Sequence, residues 1–237
     1  MDLELTSVRK AYGKVAALDG VTLRARANET VAVVGPSGCG KSTLLELVCR
    51  LTGPDAGTIR APKAALMPQR DGLLPWLSAL DNAGLALRAS GASKRDARAA
   101  AHEHFEAFGL TGFERARPGE LSGGMRQRVA FLRTLLAGRP VLCLDEPFGA
   151  LDALTRSQMQ RWLADALLQE PRTVLLVTHD VEEAALLADR IVLLSPRPGR
   201  VVETIEVDLP RPRARTDLAI VELRERALAA IEQRELA

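Results

Sequence analysis

A short glycine-rich segment, GPSGCGKST at residues 35–43, sets the framework of this sequence because it matches the phosphate-binding pattern G-x-x-x-x-G-K-[ST]. The apolar, β-branched run Thr30–Val34 before it predicts a strand, and Ser42–Leu51 predicts a helix. Successive backbone N–H groups of such a turn form a nest for anions, and the positive end of the helix dipole faces the same point. The segment therefore predicts a strand, loop and helix unit that binds a triphosphate.

The side chains of this loop have separate expected roles. Lys41 supplies a positive charge for the β and γ phosphates, and the hydroxyl of Ser42 is a predicted ligand of Mg²⁺. A helix N-terminus lowers the pKa of a nearby thiol, so we expect Cys39 to be a reactive thiolate that ATP protects from maleimide. The predicted ATP contacts are Gly35, Pro36, Ser37, Gly38, Cys39, Gly40, Lys41, Ser42 and Thr43.

Composition excludes several classes of partner and site. The 32 basic and 30 acidic residues leave a net charge of +2, which gives no electrostatic reason to propose nucleic acid. The three cysteines are an odd number without a C-x-x-C spacing, which indicates a reducing compartment and no metal cluster. No leader opens the chain and no apolar run approaches the roughly 18 to 20 residues that cross a bilayer. We expect a soluble, cytosolic protein, or one held at a membrane by another protein.

The first third of the chain predicts two half-buried strands and one buried strand. Apolar and polar residues alternate over Leu3–Val8 and Leu18–Ala25, a pattern typical of an antiparallel layer. Tyr12, in a predicted loop between them, either stacks on a nucleotide base or packs in the core. Ala64–Met67 predicts a buried strand that places Gln69 at its end.

A predicted helical subdomain follows. Its composition is rich in alanine and charge from Ser93, which forms a capping box with Asp96, and Gly109 is the predicted stop of that helix. The segment 121–128, LSGGMRQR, begins a helix predicted to reach Gly138, and its start is either an anion-binding terminus or an ordinary N-cap. The preceding residues 71–77, DGLLPWL, make either a core plug or a docking patch.

Two buried strands in the second half end in polar groups. Val141–Leu144 leads to Asp145 and Glu146, and carboxylates at such strand ends lie where ligands bind in open α/β sheets. Asp145 is a predicted Mg²⁺ ligand and Glu146 a base that orients or deprotonates water, with salt bridges as the alternative. The strand Thr173–Thr178 ends in His179, which can reach a γ phosphate. Beyond Gly199 we expect a strand to Val207, a Pro-Arg-Pro-Arg connector and a helix with Ile220, Leu223, Ala227 and Ile231 on one face.

Together these motifs resemble the ATP-binding cassette (ABC) family of transport ATPases along the whole chain. The resemblance implies that Tyr12 stacks on adenine, that Gln69 acts in catalysis and as a metal ligand, and that ATP and Mg²⁺ are the cofactors. Lys41, Glu146 and His179 are the other implied catalytic residues. The remaining matches are the LSGGQ-type signature at Leu121–Gln127 and the D-loop at Gly149–Asp152, which imply ATP contacts at Ser122, Gly123, Gly124, Gln127 and Asp152.

The implied fold is α/β, a P-loop NTPase core with a mixed central sheet, an N-terminal antiparallel β layer and an inserted α-helical subdomain. We expect a single ABC ATPase domain over residues 1–237. Its implied parts are a catalytic core at about 1–75 and 138–207, a helical signature subdomain at about 76–137, and a C-terminal connector and helix at about 208–237.

In this family the signature of one cassette closes over the phosphate loop of another, and this chain has one copy of each. The implied partners are a second ATPase subunit, expected to be an identical chain, transmembrane permease subunits and, indirectly, a solute-binding protein. The protein would then lie on the cytoplasmic face of the inner membrane and contact the membrane only through the permease. The alternatives are a soluble ABC-type ATPase that acts on DNA or ribosomes and a non-hydrolysing regulatory subunit.

Three less specific motifs resemble one subgroup of this family. The stretches 73–76 (LLPW), 148–156 (FGALDALTR) and 195–200 (SPRPGR) are similar to the subgroup that serves nitrate, sulfonate, taurine and thiamine-precursor uptake. We also expect the protein to lack the extra regulatory domain found in some sugar-importer cassettes. The resemblance therefore implies an importer ATPase for a small solute.

Overall fold

The computed structural model describes the backbone of residues 1–235 and the side chains of residues 1–230. The fold is α/β, as the sequence predicts. Its strands are β1 (Leu3–Tyr12), β2 (Val15–Ala25), β3 (Thr30–Val34), β4 (Ala56–Arg60), β5 (Ala64–Met67), β6 (Val141–Asp145), β7 (Thr173–Thr178), β8 (Arg190–Leu194) and β9 (Val201–Glu206).

The helices are α1 (Lys41–Val48), α2 (Ala79–Ala83), α3 (Leu85–Ala89), α4 (Lys94–His102), α5 (Gly123–Leu135), α6 (Ala153–Gln169), α7 (Val181–Leu187) and α8 (Leu218–Glu235). Helices α2, α4, α5 and α7 begin at side-chain caps. In α4, the hydroxyl of Ser93 accepts a hydrogen bond from the N–H of Asp96 at 3.1 Å, which confirms the predicted start of that helix. None of the helices in the described part of the chain is long and apolar enough to cross a membrane.

The central sheet has six strands in the order β5-β6-β7-β3-β8-β9. Strands β6, β7, β3 and β8 run parallel, and β9 pairs with β8 in the antiparallel direction, so the predicted mixed sheet is confirmed. Every residue of β3, β6 and β7 is buried, which explains why these strands read as continuous apolar runs. Parallel pairing brings the carboxyl ends of all three to one edge.

A second sheet has three antiparallel strands in the order β2-β1-β4. Leu3 pairs with Ala25 and Leu5 with Leu23, and all four side chains are buried, as the alternating pattern predicts. The buried face of this sheet belongs to the same apolar cluster as α1, β3 and β7. The predicted antiparallel layer is therefore confirmed, with β4 as an additional strand.

The chain packs as two compact units. Unit 1 contains residues 1–66 and 140–146 and the chain from residue 160 onward, and it holds both sheets. Its core includes Leu44, Leu45 and Val48 of α1, which explains the apolar face of that helix.

Unit 2 contains residues 67–139 and 147–159. Its core is built on aromatic side chains: the ring centroids of Phe108 and Phe131 lie 6.0 Å apart, and Phe148 contacts Phe131 edge-on at 5.8 Å. Arg98 donates two hydrogen bonds, each 2.7 Å long, to the carboxylate of Asp81. The functional subdomain boundaries given above remain predictions.

The C-terminal connector of unit 1 is held by Arg213. Its guanidinium donates hydrogen bonds to backbone carbonyls at the end of α7 and in the segment after β9, at Ala185, Ala188, Val207 and Leu209. Burial lowers the pKa of Arg213 to about 10, so the group stays protonated at neutral pH. The cation thus satisfies carbonyls that the short α7 leaves open.

Several predicted boundaries were wrong. The helix after the phosphate-binding segment ends at Val48 rather than Leu51, α4 ends at His102 rather than Gly109, and α5 ends at Leu135 rather than Gly138. In α8, Ile220 and Ala227 are buried on one face as predicted, whereas the side chain of Ile231 lies outside the described residues.

Candidate active site

The phosphate-binding segment joins β3 to α1 as predicted. Gly38 has φ +76° and Gly40 φ +103°, backbone conformations that side chains disfavour, and a Cβ on Gly40 would lie 2.7 Å from the carbonyl oxygen of Ala17. No side chain caps the N-terminus of α1 and its first turn has no acidic residue. The positive end of the helix dipole is therefore free to act on an anion.

Lys41 folds back on this loop. Its side chain is only 7 % exposed, and Nζ donates hydrogen bonds to the carbonyl oxygens of Gly35 at 2.6 Å and Pro36 at 3.0 Å. Both of these partners are neutral carbonyls, which do not offset the ammonium charge. The geometry places a desolvated positive charge inside the loop, which suits the binding of phosphate oxygens.

Asp145 lies at the end of β6, in contact with the start of α1. Burial raises the pKa of its carboxyl, while a hydrogen bond from the hydroxyl of Ser42 and the charge of Lys41 oppose that rise. Among the described residues, no three His, Cys, Asp or Glu side chains are grouped to hold a metal ion by themselves. One carboxylate beside one hydroxyl fits Mg²⁺, which binds through one or two protein ligands together with phosphate oxygens and water.

Glu146 and His179 meet at the same edge of the sheet. Nδ1 of His179 lies 3.2 Å from Oε1 of Glu146, and the N–H of Glu146 donates to the carbonyl of Val177 at 2.8 Å. Glu146 has φ +47°, an unfavourable conformation for a residue with a side chain. This kink turns the Glu146 carboxylate away from the regular course of β6 and toward His179.

Strand register explains this convergence. Asp145 pairs with Val177, and Thr178 pairs with Val34, so the ends of β6, β7 and β3 are level with one another. The polar groups that follow these strands therefore share one edge of unit 1, where ligands bind in open parallel sheets. Sequence alone predicted each group separately, and the register brings them together.

Tyr12 differs from its prediction in one respect: it ends β1 rather than lying in a loop. The side chain is 48 % exposed, which rules out the core alternative. Its hydroxyl donates to Glu46 at 3.2 Å, and the ammonium of Lys10 lies 5.6 Å from the ring centroid. Because the ring is exposed, Tyr12 can stack on a base, and this role remains a prediction.

The expectation of a reactive Cys39 is wrong. Its side chain is 1 % exposed, and burial raises the pKa of the thiol despite the nearby charge of Lys41. Proximity to a helix N-terminus lowers a thiol pKa only where the thiolate can be solvated, and the Cys39 side chain lies in the buried apolar cluster of unit 1.

Instead, we expect Cys49 to be the first cysteine to react with maleimide in the native protein. Cys49 is half-buried, and a hydrogen bond from the thiol of Cys143 lowers its pKa. The same hydrogen bond, together with burial, raises the pKa of Cys143. Peptide mass spectrometry after brief labelling measures the order. The Cys49→Ser variant should lose most native labelling, and dominant labelling at Cys39 would contradict this expectation.

The signature segment lies in unit 2. Ser122 caps α5 by accepting a hydrogen bond from the N–H of Met125 at 3.2 Å, and Ser122 and Gly123 are exposed. The first turn of α5 has no acidic residue, so its positive end is uncompensated. A Cβ on Gly124 would lie 3.3 Å from a methyl carbon of Leu151, which favours glycine there.

The other predicted site residues of unit 2 have distinct surroundings. The amide of Gln127 is buried and donates to the carbonyl of Pro147 at 3.3 Å. Asp152 is exposed and accepts hydrogen bonds from Leu154 and Thr155 at the start of α6, and its bonds with Thr155 are the main reason that its pKa is lowered. Gln69 is exposed beyond β5. The ligand roles of these three side chains remain predictions.

Arg197 has a contact that the sequence did not indicate. Its Nε donates to the carbonyl oxygen of Gly38 at 3.0 Å. The sequence of the stretch 195–200 indicates only a subgroup of the family, and a partner 159 positions away in the chain leaves no local signal.

A family model and several known proteins match this chain. The family model described as ABC transporter matches residues 18–149. The formylaminopyrimidine import ATP-binding protein ThiZ of Halalkalibacterium halodurans is 47% identical over 195 residues, covering 80% of this chain and 78% of that protein. An aliphatic sulfonates import ATP-binding protein, SsuB 1 of Shouchella clausii, is 43% identical over 231 residues, covering 96% of this chain and 90% of that protein.

A solved structure shows the same fold. The dimeric, post-hydrolysis state of the ATP-binding cassette MJ0796, bound to ADP and Pi, has a TM-score of 0.81 and 29% sequence identity, and the match covers 88% of this chain and 100% of that chain. The family match, the relatives and the fold thus agree with one another. This chain belongs to the ABC transporter family and carries its ATPase domain.

Proposed function

We propose that this protein is the ATP-hydrolysing subunit of a membrane importer for a small solute. The observation that carries the proposal is the shared edge of unit 1, where the phosphate loop, Asp145, Glu146 and His179 follow three adjacent parallel strands. A loop that binds phosphates beside a kinked carboxylate paired with histidine suits phosphoryl transfer to water.

The residues of unit 1 divide the chemistry. Lys41 and the loop N–H groups bind the phosphates, and Tyr12 stacks on adenine. Ser42 and Asp145 would hold Mg²⁺, which would offset negative charge on the phosphates. Glu146 orients or deprotonates the attacking water, and His179 fixes the Glu146 carboxylate through their 3.2 Å contact and reaches the γ phosphate.

The proposed assembly has two cassettes. The uncompensated N-terminus of α5 at Ser122 is suited to phosphate, and we assign it to the nucleotide of a second, identical chain. Binding of two ATP closes the pair and hydrolysis reopens it, which drives a permease between two states. The dimeric form of the similar cassette MJ0796 supports this arrangement. The protein would then work at the cytoplasmic face of the membrane, bound through the permease.

We assign the solute to the nitrate, sulfonate, taurine or thiamine-precursor type. The relatives described above, named for formylaminopyrimidine and aliphatic sulfonate import, support this assignment. The test measures ATP-dependent uptake of each solute class by cells that lack this gene and by the same cells after the gene is restored. Hydrolysis by the purified protein together with unchanged uptake of every class would favour the alternative, an ABC-type ATPase that is not coupled to transport.

Trp76 is the proposed anchor for the permease. Leu73 is buried in unit 2, whereas Trp76 is 67 % exposed. The intervening backbone is fixed by Asn82, whose side chain accepts from the N–H of Leu74 at 2.8 Å and donates to the carbonyl of Leu77 at 3.2 Å. The turn thus presents an aromatic side chain on a rigid support, which is typical of an interface hot spot.

We expect Trp76→Ala to leave ATP hydrolysis by the isolated protein unchanged while co-purification with the permease and solute uptake fail. Loss of one buried aromatic anchor costs about 2 kcal/mol or more of binding free energy. Leu51→Ala is the control because Leu51 is equally exposed, at 68 %, but belongs to unit 1. Normal uptake by the Trp76 variant, or its unfolding, would show that Trp76 is not the anchor.

A further inference from the structure

The turn between β8 and β9, residues 195–200, lies against the phosphate loop. Its sequence SPRPGR has no regular apolar pattern, and the proposed chemistry gives it no role. Both segments belong to unit 1.

Arg197 makes the direct contact. Its Nε donates a hydrogen bond to the carbonyl oxygen of Gly38 at 3.0 Å, in the middle of the loop. Its Nη2 lies 2.9 Å from the position that a Cβ on Gly38 would occupy. The guanidinium therefore packs on Gly38, where the absence of a side chain leaves the peptide open.

Gly199 brings the turn this close. Its N–H donates to the carbonyl of Ala17 at 2.9 Å, and its carbonyl accepts from the N–H of Asp19 at 3.0 Å, so the turn is fixed to β2. A Cβ on Gly199 would collide with the carbonyl oxygen of Cys39. Close backbone approach thus seats the turn directly on the loop.

The turn is also held by its own side chains. The hydroxyl of Ser195 accepts a hydrogen bond from the N–H of Arg200 at 3.0 Å and donates to the carbonyl of Pro198 at 3.0 Å. Arg200 forms an ion pair with Asp19 at 2.5 Å. Arg200 therefore anchors the turn to β2, whereas Arg197 on the same turn reaches the phosphate loop.

The contact bears on how the loop binds phosphate. Gly38 has φ +76°, and glycine moves between alternative backbone conformations at little cost. Rotation of the peptide between Gly38 and Cys39 would point its carbonyl oxygen, instead of its N–H, at a bound phosphate. The carbonyl oxygen would repel the phosphate. A charged donor on the Gly38 carbonyl disfavours this rotation, since such hydrogen bonds are about twice as strong as neutral ones.

We propose that Arg197 is a positioning residue that holds the phosphate loop in its nucleotide-binding conformation through the Gly38 carbonyl. The inference rests on the proposed nucleotide site and adds a residue to it. Arg197 acts on binding rather than on the chemical step, because its contact is with the loop and not with Glu146 or His179.

The experiment measures the affinity of a non-hydrolysable ATP analogue with Mg²⁺ by calorimetry, and the KM and kcat of hydrolysis. We expect Arg197→Ala to weaken analogue binding and raise KM by roughly three- to tenfold with kcat nearly unchanged. Arg197→Lys, which keeps a charged donor, should recover part of the affinity. The melting temperature of the ligand-free protein should stay at the wild-type value, because Arg197 is exposed.

The matched control is Arg200→Ala, which removes the same charge from the same turn without touching the loop. Equal weakening by both variants would assign the effect to net charge or to the turn and overturn the role of Arg197. Wild-type affinity in Arg197→Ala, while Lys41→Ala loses binding, would overturn the inference and leave the nucleotide site intact. Absence of binding to the wild-type protein would instead overturn the proposed site and this inference with it.

Discussion

Replacing Glu146 by glutamine is expected to reduce ATP hydrolysis by about 10² to 10⁴-fold, the usual effect of losing a general base. Glutamine has nearly the same shape, so it keeps the backbone at φ +47° and the packing at the end of β6. It cannot accept a proton from water, and it weakens the contact with His179 that now measures 3.2 Å. The substitution therefore removes the chemistry without removing the site.

Binding should survive this change because Lys41 and the phosphate loop are untouched. We expect Glu146→Gln to bind ATP and to accumulate as a dimer, since hydrolysis no longer reopens the assembly. Phosphate release measures the first effect and sedimentation with Mg-ATP the second. Glu103→Gln, an exposed position in unit 2, is the control and should behave as wild type. Full hydrolysis by the Glu146 variant would reassign the base to another residue.

The strands that carry the site were predictable because burial on both faces leaves a direct mark on sequence. The bounds predicted for β3 and β7 match the structure, and both strands are short apolar runs that are buried throughout. The bounds of β5 also match, although only alternate residues of that strand are buried. By contrast, β4 is almost entirely exposed and contains Gly57, so its segment has neither an apolar run nor an alternating pattern. An edge strand of this kind is specified by its pairing with β1.

The chemistry of individual side chains was less predictable, since it depends on partners far away in sequence. Local reasoning gave Cys39 a low pKa, but its side chain belongs to a buried apolar cluster that includes Leu194 at the end of β8, and burial raises the pKa. The contact of Arg197 with Gly38 has the same origin. Glu146 contacts His179 because β6 and β7 end at the same level, and that alignment is fixed only by the strand register.

Mixing two inactive variants is expected to restore hydrolysis if each site is formed by two chains. Lys41→Ala removes the ammonium that now contacts the carbonyls of Gly35 and Pro36, and Ser122→Arg places a large cation at the exposed start of α5. Each variant alone should lose about 10²-fold or more in hydrolysis, because every site in its homodimer lacks one element.

In the mixed dimer, the chain with Lys41→Ala contributes a native signature and the chain with Ser122→Arg contributes a native phosphate loop. One of its two sites is then intact, so equal mixing should restore about one quarter of the sites when dimers form at random. A titration of one variant into the other, with phosphate release as the signal, should pass through a maximum near equal amounts.

A maximum of hydrolysis in this titration would also show that the Ser122→Arg variant is folded. Ser122 caps α5 by accepting a hydrogen bond from the N–H of Met125, and loss of such a cap costs about 1 kcal/mol of stability. Low hydrolysis by the Ser122→Arg variant alone could therefore come from misfolding. A misfolded chain cannot supply a working phosphate loop to its partner, whereas a folded chain with a blocked signature can. Restored hydrolysis would therefore show both that the variant folds and that Ser122 acts on the nucleotide of the other chain. Full hydrolysis by either variant alone, or a mixture no more active than its components, would contradict the two-chain site.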